Sequence, residues 1–262
     1  MSRSREDDVV ARLRAAGCVF AEDEAHLLLA EAGSPAELDV LLARRVGGEP
    51  LEHVLGWAEF GGLRIAVGPG VFVPRRRTEL LVEEAMALAR PGAVVVDLCC
   101  GSGALGVAVA SAVADVELHA ADVDPAAVAC AAANVATVGG RAYAGDLFAA
   151  LPAGLRGRID LLLANVPYVP TDAIALMPPE ARLHEARVAL DGGADGLDVA
   201  RRVVAEAPRW LAPGGSLLFE TSEAQAPAAL GTVAAAGLVA RLVTDDDRGA
   251  SVVVGTRTEL SR

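Results

Sequence analysis

The chain has 262 residues, 53% of them hydrophobic and 22% charged, which is enough for one large domain or for a large and a small one. A net charge of −12 argues against broad, sequence-independent nucleic-acid binding, which depends on neutralising phosphates. No stretch approaches the roughly 20 uninterrupted apolar residues of a membrane helix. The charged opening MSRSREDDVV lacks the apolar core of a signal peptide. Cys18, Cys99, Cys100 and Cys130 have no zinc-type spacing, so the expectation is a cytoplasmic protein with reduced cysteines and no metal site.

Residues 6–46 carry helical periodicity. Val9, Val10 and Leu13 form one apolar stripe, Leu27, Leu28 and Leu29 lie in a second, and Leu38, Leu41 and Leu42 in a third. Gly17 and Gly33 fall where helix C-caps belong, and Ser34-Pro35 suits the start of the next helix. Residues 1–46 therefore read as a small helical unit without a catalytic constellation, and His26 as a surface or packing histidine. Residues 47–74 differ. Leu63, Ile65 and Val67 alternate with Arg64 and Ala66, and Val71 and Val73 follow Gly68-Pro69-Gly70, which predicts a β-hairpin linker. Pro74-Arg75-Arg76-Arg77-Thr78 then leads into a helix over Glu79–Ala89, with Thr78 as its N-cap. Arginines at a helix start oppose its dipole, and Arg76 and Arg77 read as solvated.

From Pro91 onward strands and helices alternate, the signature of an α/β doubly wound sheet. Ala93–Asp97 is the first strand. It runs into Asp97-Leu98-Cys99-Cys100-Gly101-Ser102-Gly103 and a helix over Ala104–Val113. Gly101 and Gly103 let the backbone approach a ligand closely. The chain lacks the GxxxxGK[ST] of a P-loop, and the register Asp-x-x-x-Gly-x-Gly differs from the GxGxxG of dinucleotide sites. A second strand, Val116–Ala121, ends in Asp122, placed to bind ribose hydroxyls. Asp124-Pro125 reads as cap and first residue of the helix to Val135, and a short strand, Ala142–Ala144, closes with Gly145-Asp146. Asp97, Asp122 and Asp146 at three successive strand ends point to one polar ligand across the carboxyl edge of the sheet.

The fourth strand, Ile159–Ala164, is apolar but for Asp160, as in a strand buried on both faces. It ends in Asn165-Val166-Pro167-Tyr168, where Pro167 turns the chain out of the sheet. An amide and an aromatic ring thus sit just past a central strand, where open α/β sheets bind ligands. Met177–Ala189 reads as irregular and 191–196 as a turn before a helix over Asp198–Ala207. A turn at 213–215 precedes a strand over Ser216–Glu220, and Leu238–Val243 and Ser251–Thr256 are the last strands.

Taken together these residues resemble the S-adenosylmethionine-dependent release-factor glutamine methyltransferases. The resemblance rests on Gly48-Glu49-Pro50, Gly56, Pro74-Arg75 with Thr78-Glu79, Asp97 with Gly101-Ser102-Gly103, Asp122, Asp146 and the 165–168 tetrad. It rests most on Pro179-Glu180, His184-Glu185 and the block from Ala189 to Leu197. It implies a Rossmann-like class I methyltransferase sheet in a domain over 75–262, and a helical domain over 1–46 that docks the protein substrate. The implied cofactor, S-adenosylmethionine, would be held by Arg75, Thr78, Asp97, Gly101, Gly103, Asp122, Asp146 and Asn165. The implied reaction is methylation of a glutamine side-chain amide in a release factor or another protein. Asn165, Pro167 and Tyr168 would be catalytic, and Val166 would join them in holding the target. The family's usual tetrad is Asn-Pro-Pro-Tyr. Val166, Arg76, Arg77, Cys99 and Ala186 depart from the family pattern and point to a divergent paralogue with its own target. The competing reading, a nucleic-acid adenine N6-methyltransferase, draws on the similar tetrad and the Arg75–Arg77 cluster, and is opposed by the net charge. A non-catalytic cofactor-binding protein is opposed by the retention of Asn165 and Tyr168.

Overall fold

A computed structural model describes residues 3–258; the remaining termini of the two predicted domains, 1–2 and 259–262, lie outside it. The N-terminal helices are α1 (Arg3–Ala15), α2 (Ala21–Glu31) and α3 (Pro35–Val46), followed by a short α4 (Leu51–Leu55). Their stripes meet in one cluster of Val9, Leu13, Leu28, Leu38, Leu42 and Val54. Ser34 caps α3 as expected: its hydroxyl accepts the Glu37 N–H at 3.2 Å, and the Glu37 carboxylate accepts the Gly33 N–H at 2.8 Å. Gly33 therefore serves the start of α3, while α2 is closed by Ala32. His26 is exposed. Arg45, at the end of α3, is 12% exposed in its side chain. It binds Glu24 of α2 at 2.6 Å and Glu180 at 2.8 Å, which ties the helices to the rest of the chain.

The linker does contain a hairpin, with a different second arm from the one expected. β1 (Trp57–Phe60) pairs with β2 (Leu63–Ala66), Phe60 opposite Leu63. Gly61 and Gly62 both have positive φ, 57° and 73°, the geometry that a two-residue hairpin turn demands. Val71 and Val73 do not pair with β2. They belong to an extended strap and bury their side chains with Ala58 and Val67.

The helices and strands that follow are α5 (Glu79–Leu88), β3 (Val94–Leu98), α6 (Ala104–Ala112), β4 (Glu117–Asp122), α7 (Pro125–Ala136), β5 (Arg141–Ala144) and β6 (Ile159–Ala164). Then come α8 (Pro179–His184), α9 (Asp198–Trp210), β7 (Leu211–Thr221), α10 (Ala226–Ala235), β8 (Val239–Asp245) and β9 (Ala250–Thr256). The strands form one Rossmann-like sheet in the order β5-β4-β3-β6-β7-β9-β8, parallel except for β9, which runs antiparallel to β7 and β8. Leu81, Val107 and Ala131 of α5, α6 and α7 pack on one face, and Val203 and Val233 of α9 and α10 on the other. All five residues of β3 are buried, which is why its sequence reads as a continuous apolar run into Asp97.

Two boundaries differ from expectation. β7 begins at Leu211, because the Pro213-Gly214-Gly215 turn is accommodated as a bulge: Ile159 pairs with Leu211, and Leu161 with Ser216. α9 runs through Pro208 to Trp210, the proline lying in its last turn. The strand order reverses between β3 and β6, the switch point at which such sheets hold ligands. It sets the Cys99–Gly103 loop beside the 165–168 tetrad.

Arg45→Ala would strand Glu24, 7% exposed, as an uncompensated buried charge. A loss of roughly 3 kcal/mol in urea unfolding is expected. Arg12→Ala, which removes an exposed 3.8 Å pair with Asp39, should cost well under ~1 kcal/mol. Equal losses in the two variants would show that Arg45 carries no special weight.

Candidate active site

A cavity of about 380 Å³ opens at the carboxyl ends of β3, β4 and β6. Of the residues singled out from sequence, Arg75, Gly101, Asp122, Asp146, Asn165, Val166, Pro167 and Tyr168 line it. Thr78, Asp97 and Gly103 stand behind the lining. Thr78 is not an N-cap: with φ −70° and ψ −12° it is helical, and its buried hydroxyl donates to Glu220 at 2.5 Å. Gly103, at φ 77°, precedes α6, and a Cβ there would come within 3.1 Å of Val135, so it permits helix packing. Asp97 is fully buried. One of its oxygens accepts the Gly106 N–H at 3.0 Å and the other has no partner. Burial raises its pKa from 3.8 to about 8.

Asp122 organises the glycine loop. Its carboxylate accepts the N–H groups of Gly101 and Asp124, each at 2.9 Å, and retains lone pairs toward the cavity. Burial pushes its pKa up. Cys99 occupies a left-handed conformation, φ 54°, strained for a residue with a side chain. Burial raises the Cys99 and Cys100 thiols, so neither is a ready nucleophile. Asp146 is exposed and pairs with Arg202 at 2.5 Å. Among the described residues no group of three His, Cys, Asp or Glu side chains is placed to hold a metal, and no helix is long and apolar enough to cross a membrane.

The tetrad is braced from two sides. Val166 is 2% exposed and packs into the core cluster beside β6. The Tyr168 hydroxyl donates to Glu220 at 2.8 Å and accepts from Arg77. Burial and the Glu220 carboxylate push the phenol up, so it stays neutral. Arg76 and Arg77 are both exposed as expected, but Arg77 is also paired: its Nε donates to Glu220 at 2.8 Å. From the other side, Gly192 and Gly196 lie so close that a Cβ would fall 2.7 Å from the Pro167 carbonyl oxygen and 2.2 Å from that of Tyr168. Gln225 donates to the Tyr168 and Asp195 carbonyls at 2.9 and 2.8 Å. Glu220 and Gln225 went unnoticed in the sequence. Glu220 had a signal, an acid closing a strand as Asp97 and Asp122 do; Gln225 had none.

Residues 62–195 match the Methyltransferase small domain family. A release factor glutamine methyltransferase from Geobacter sulfurreducens is 41% identical over 219 residues, covering 83% of this chain and 76% of the relative. One from Cereibacter sphaeroides is 38% identical over 95% of both chains. The chain belongs to the release factor glutamine methyltransferase family. A methyltransferase from Pyrococcus furiosus, 16% identical, superposes with a TM-score of 0.58 over 82% of this chain and 97% of that one, a likeness of fold. The family's cofactor is S-adenosylmethionine. The cavity fits it: Asp122, which holds the Gly101 N–H and keeps acceptor capacity on the cavity wall, suits ribose hydroxyls beside a close-packed glycine loop.

Asp97 makes stability pH-dependent. Its folded pKa lies above its unfolded one, so its contribution is complete below about pH 4 and is lost as pH rises through about 8. In the absence of cofactor, melting temperatures should fall across that window, and Asp97→Asn should flatten the fall. Parallel slopes in the two proteins would remove Asp97 as the source.

Proposed function

We propose that this chain transfers a methyl group from S-adenosylmethionine to the side-chain amide nitrogen of a glutamine in a peptide chain release factor, in the cytoplasm. The observation that carries the reading is a braced Asn165-Val166-Pro167-Tyr168 turn on the cavity wall at the switch point of the sheet. The bound cofactor supplies an electrophilic methyl group on a sulfonium. The protein's task is to present the other reactant. An amide nitrogen is a poor nucleophile because its lone pair is delocalised into the carbonyl, so both of its hydrogens need acceptors that hold and polarise it. In this reading the Asn165 side-chain oxygen takes one and the Val166 carbonyl takes the other. The Tyr168 ring, fixed through its hydroxyl by Glu220 and Arg77, lies against the amide plane. Such positioning is worth ~7–11 kcal/mol at best.

The departures from the family pattern fit this reading. Val166 points its side chain into the core, so proline or valine can stand there while the carbonyl does the same work. Arg75 and Arg77 are engaged by Glu185 and Glu220, which leaves the arginine run ill suited to gripping phosphates. Asn165→Ala should keep cofactor affinity within a few-fold and lower kcat and kcat/KM together, the pattern of an interaction made in the transition state. Val166→Pro should leave activity intact or slightly raised. Loss of activity in Val166→Pro, assayed by methyl transfer to a release factor, would sink the carbonyl role and the glutamine assignment with it.

The helical unit over 1–46 is proposed to receive the protein substrate. Val19 and Phe20, at the turn between α1 and α2, are 83% and 68% exposed, unusual for large apolar side chains. Phe20→Ser should raise KM for the protein substrate severalfold while leaving cofactor affinity and kcat unchanged. An unchanged KM would move the docking surface elsewhere.

A further inference from the structure

The chain between the tetrad and α9 leaves large apolar side chains in water. Leu176 is 86% exposed, Leu183 of α8 67% and Val188 50%. Eleven large apolar side chains are exposed among the described residues, and three of them fall within 176–188, a concentration that an even scatter does not give. The backbone that carries them is held from three directions. The Ala186 N–H donates to the Gly70 carbonyl, where the strap begins, at 3.1 Å. The Val169 N–H, beside the tetrad, donates to the Leu190 carbonyl at 3.1 Å. Glu180 of α8 accepts from Arg45 of the helical unit at 2.8 Å. Strap, tetrad and helical unit all grip this segment, and its apolar side chains are fixed facing outward.

Their place is the rim of the cavity. Val188 lines it, Leu176 precedes the lining residue Met177, and Leu183 lies between Met177 and Ala186, which both line it. On the other side the segment adjoins the helical unit. Phe20 stands one turn before Glu24, its carbonyl accepting the Glu24 N–H at 2.9 Å, and Arg45 binds Glu24 and Glu180 together. Reach decides what covers the rim. A glutamine amide nitrogen lies about 5 Å from its own Cα at full stretch. For that nitrogen to arrive at Asn165 on the cavity wall, the substrate's main chain has to lie across the mouth, and the residues flanking the glutamine have to rest on the rim.

We propose that Leu176, Leu183 and Val188 form an apolar ledge that docks the polypeptide flanking the target glutamine of the release factor. The proposal rests on the glutamine methyltransferase reading and adds a second docking surface to the one at Phe20. The occupant is a protein surface that presents apolar side chains next to the glutamine. A nucleic acid, charged at every phosphate, gains nothing from such a ledge. Two docking surfaces on either side of the Arg45 bridge fix the orientation of the substrate as well as its distance, which is what transfer to a poorly nucleophilic amide needs.

The test is methyl transfer to an intact release factor by the full chain carrying Leu176→Ser and Leu183→Ser together. Both side chains are exposed and neither lines the cavity, so the variant should fold and keep its affinity for S-adenosylhomocysteine, measured by calorimetry. KM for the release factor should rise roughly tenfold, the effect of burying part of two leucines against a partner, with kcat unchanged. Val239→Ser with Leu242→Ser removes two exposed apolar side chains from β8, the outermost strand of the sheet, and should leave KM as it was. An unchanged KM in the ledge variant, or an equal rise in the β8 variant, would overturn the ledge. So would a fall in kcat at constant KM, which would make the segment a support of the catalytic turn. A wild type that sediments as a dimer and a ledge variant that sediments as a monomer would give the surface to a second copy of the chain and overturn the proposal as well. Absence of transfer to the release factor by the wild type would fail the functional reading and the ledge together. An active wild type whose KM the ledge substitutions leave untouched would fail the ledge alone.

Discussion

Two buried carboxylates hold the strap over the cavity, and the site depends on them. Glu185 takes the Val73 N–H and Arg75; Glu220 takes Arg77 and the Thr78 hydroxyl. Carboxyl groups at 6% and 2% exposure need partners, since an unpaired buried polar group is far more costly than a solvated one. Lifting the strap would strand both at once. The same contacts resolve an oddity of the sequence. Arginines at the start of α5 oppose the helix dipole, but two of the three are turned away from it onto acids supplied by distant parts of the chain.

Small groups do comparable work where space is short. Asn134 of α7 accepts the Ala66 N–H at 3.0 Å and donates to the Ala66 and Ser102 carbonyls, both at 2.8 Å. One amide thus ties the open edge of β2 to the glycine loop and satisfies backbone groups on both. Gly192 and Gly196 allow a turn to lie directly on the backbone of the tetrad, an approach that any Cβ would block. Rigidity at Tyr168 therefore comes from backbone contact on one side and from Glu220 on the other.

Much of this was legible in the chain because buried parallel strands leave a plain mark. β3 and β6 read as nearly apolar runs stopped by Asp or by an Asn–Pro turn, β4 ends in Asp122, and the residues at these ends are those that line the cavity or brace it. Harder to read were features decided by distant partners. Thr78 has the local look of a helix cap, but a buried acid 142 residues away claims its hydroxyl. The hairpin turns at Gly61-Gly62 and not at Gly68-Pro69-Gly70, because two adjacent glycines with positive φ make the tighter turn and proline removes a donor. α4 and β1 were hidden inside a glycine-marked stretch, and α10 in an alanine-rich segment with few large apolar residues to set a period.

The distance along the chain between the strap and its fasteners also sets an order of events. Arg75 and Glu185 are 110 residues apart, and Arg77 and Glu220 are 143 apart. A ribosome adding ~5–20 residues per second takes on the order of ten seconds or more to cover the longer gap. By the end of that interval the helical unit, the hairpin and the parallel strands β3, β4, β5 and β6 have been made; Arg75 gains its partner only at residue 185, and Arg77 has nothing to close upon until residue 220. Contacts this remote in sequence form slowly even in a complete chain. The cavity is thus among the last features the molecule acquires, and a chain released before β7 would hold the glycine loop without a roof.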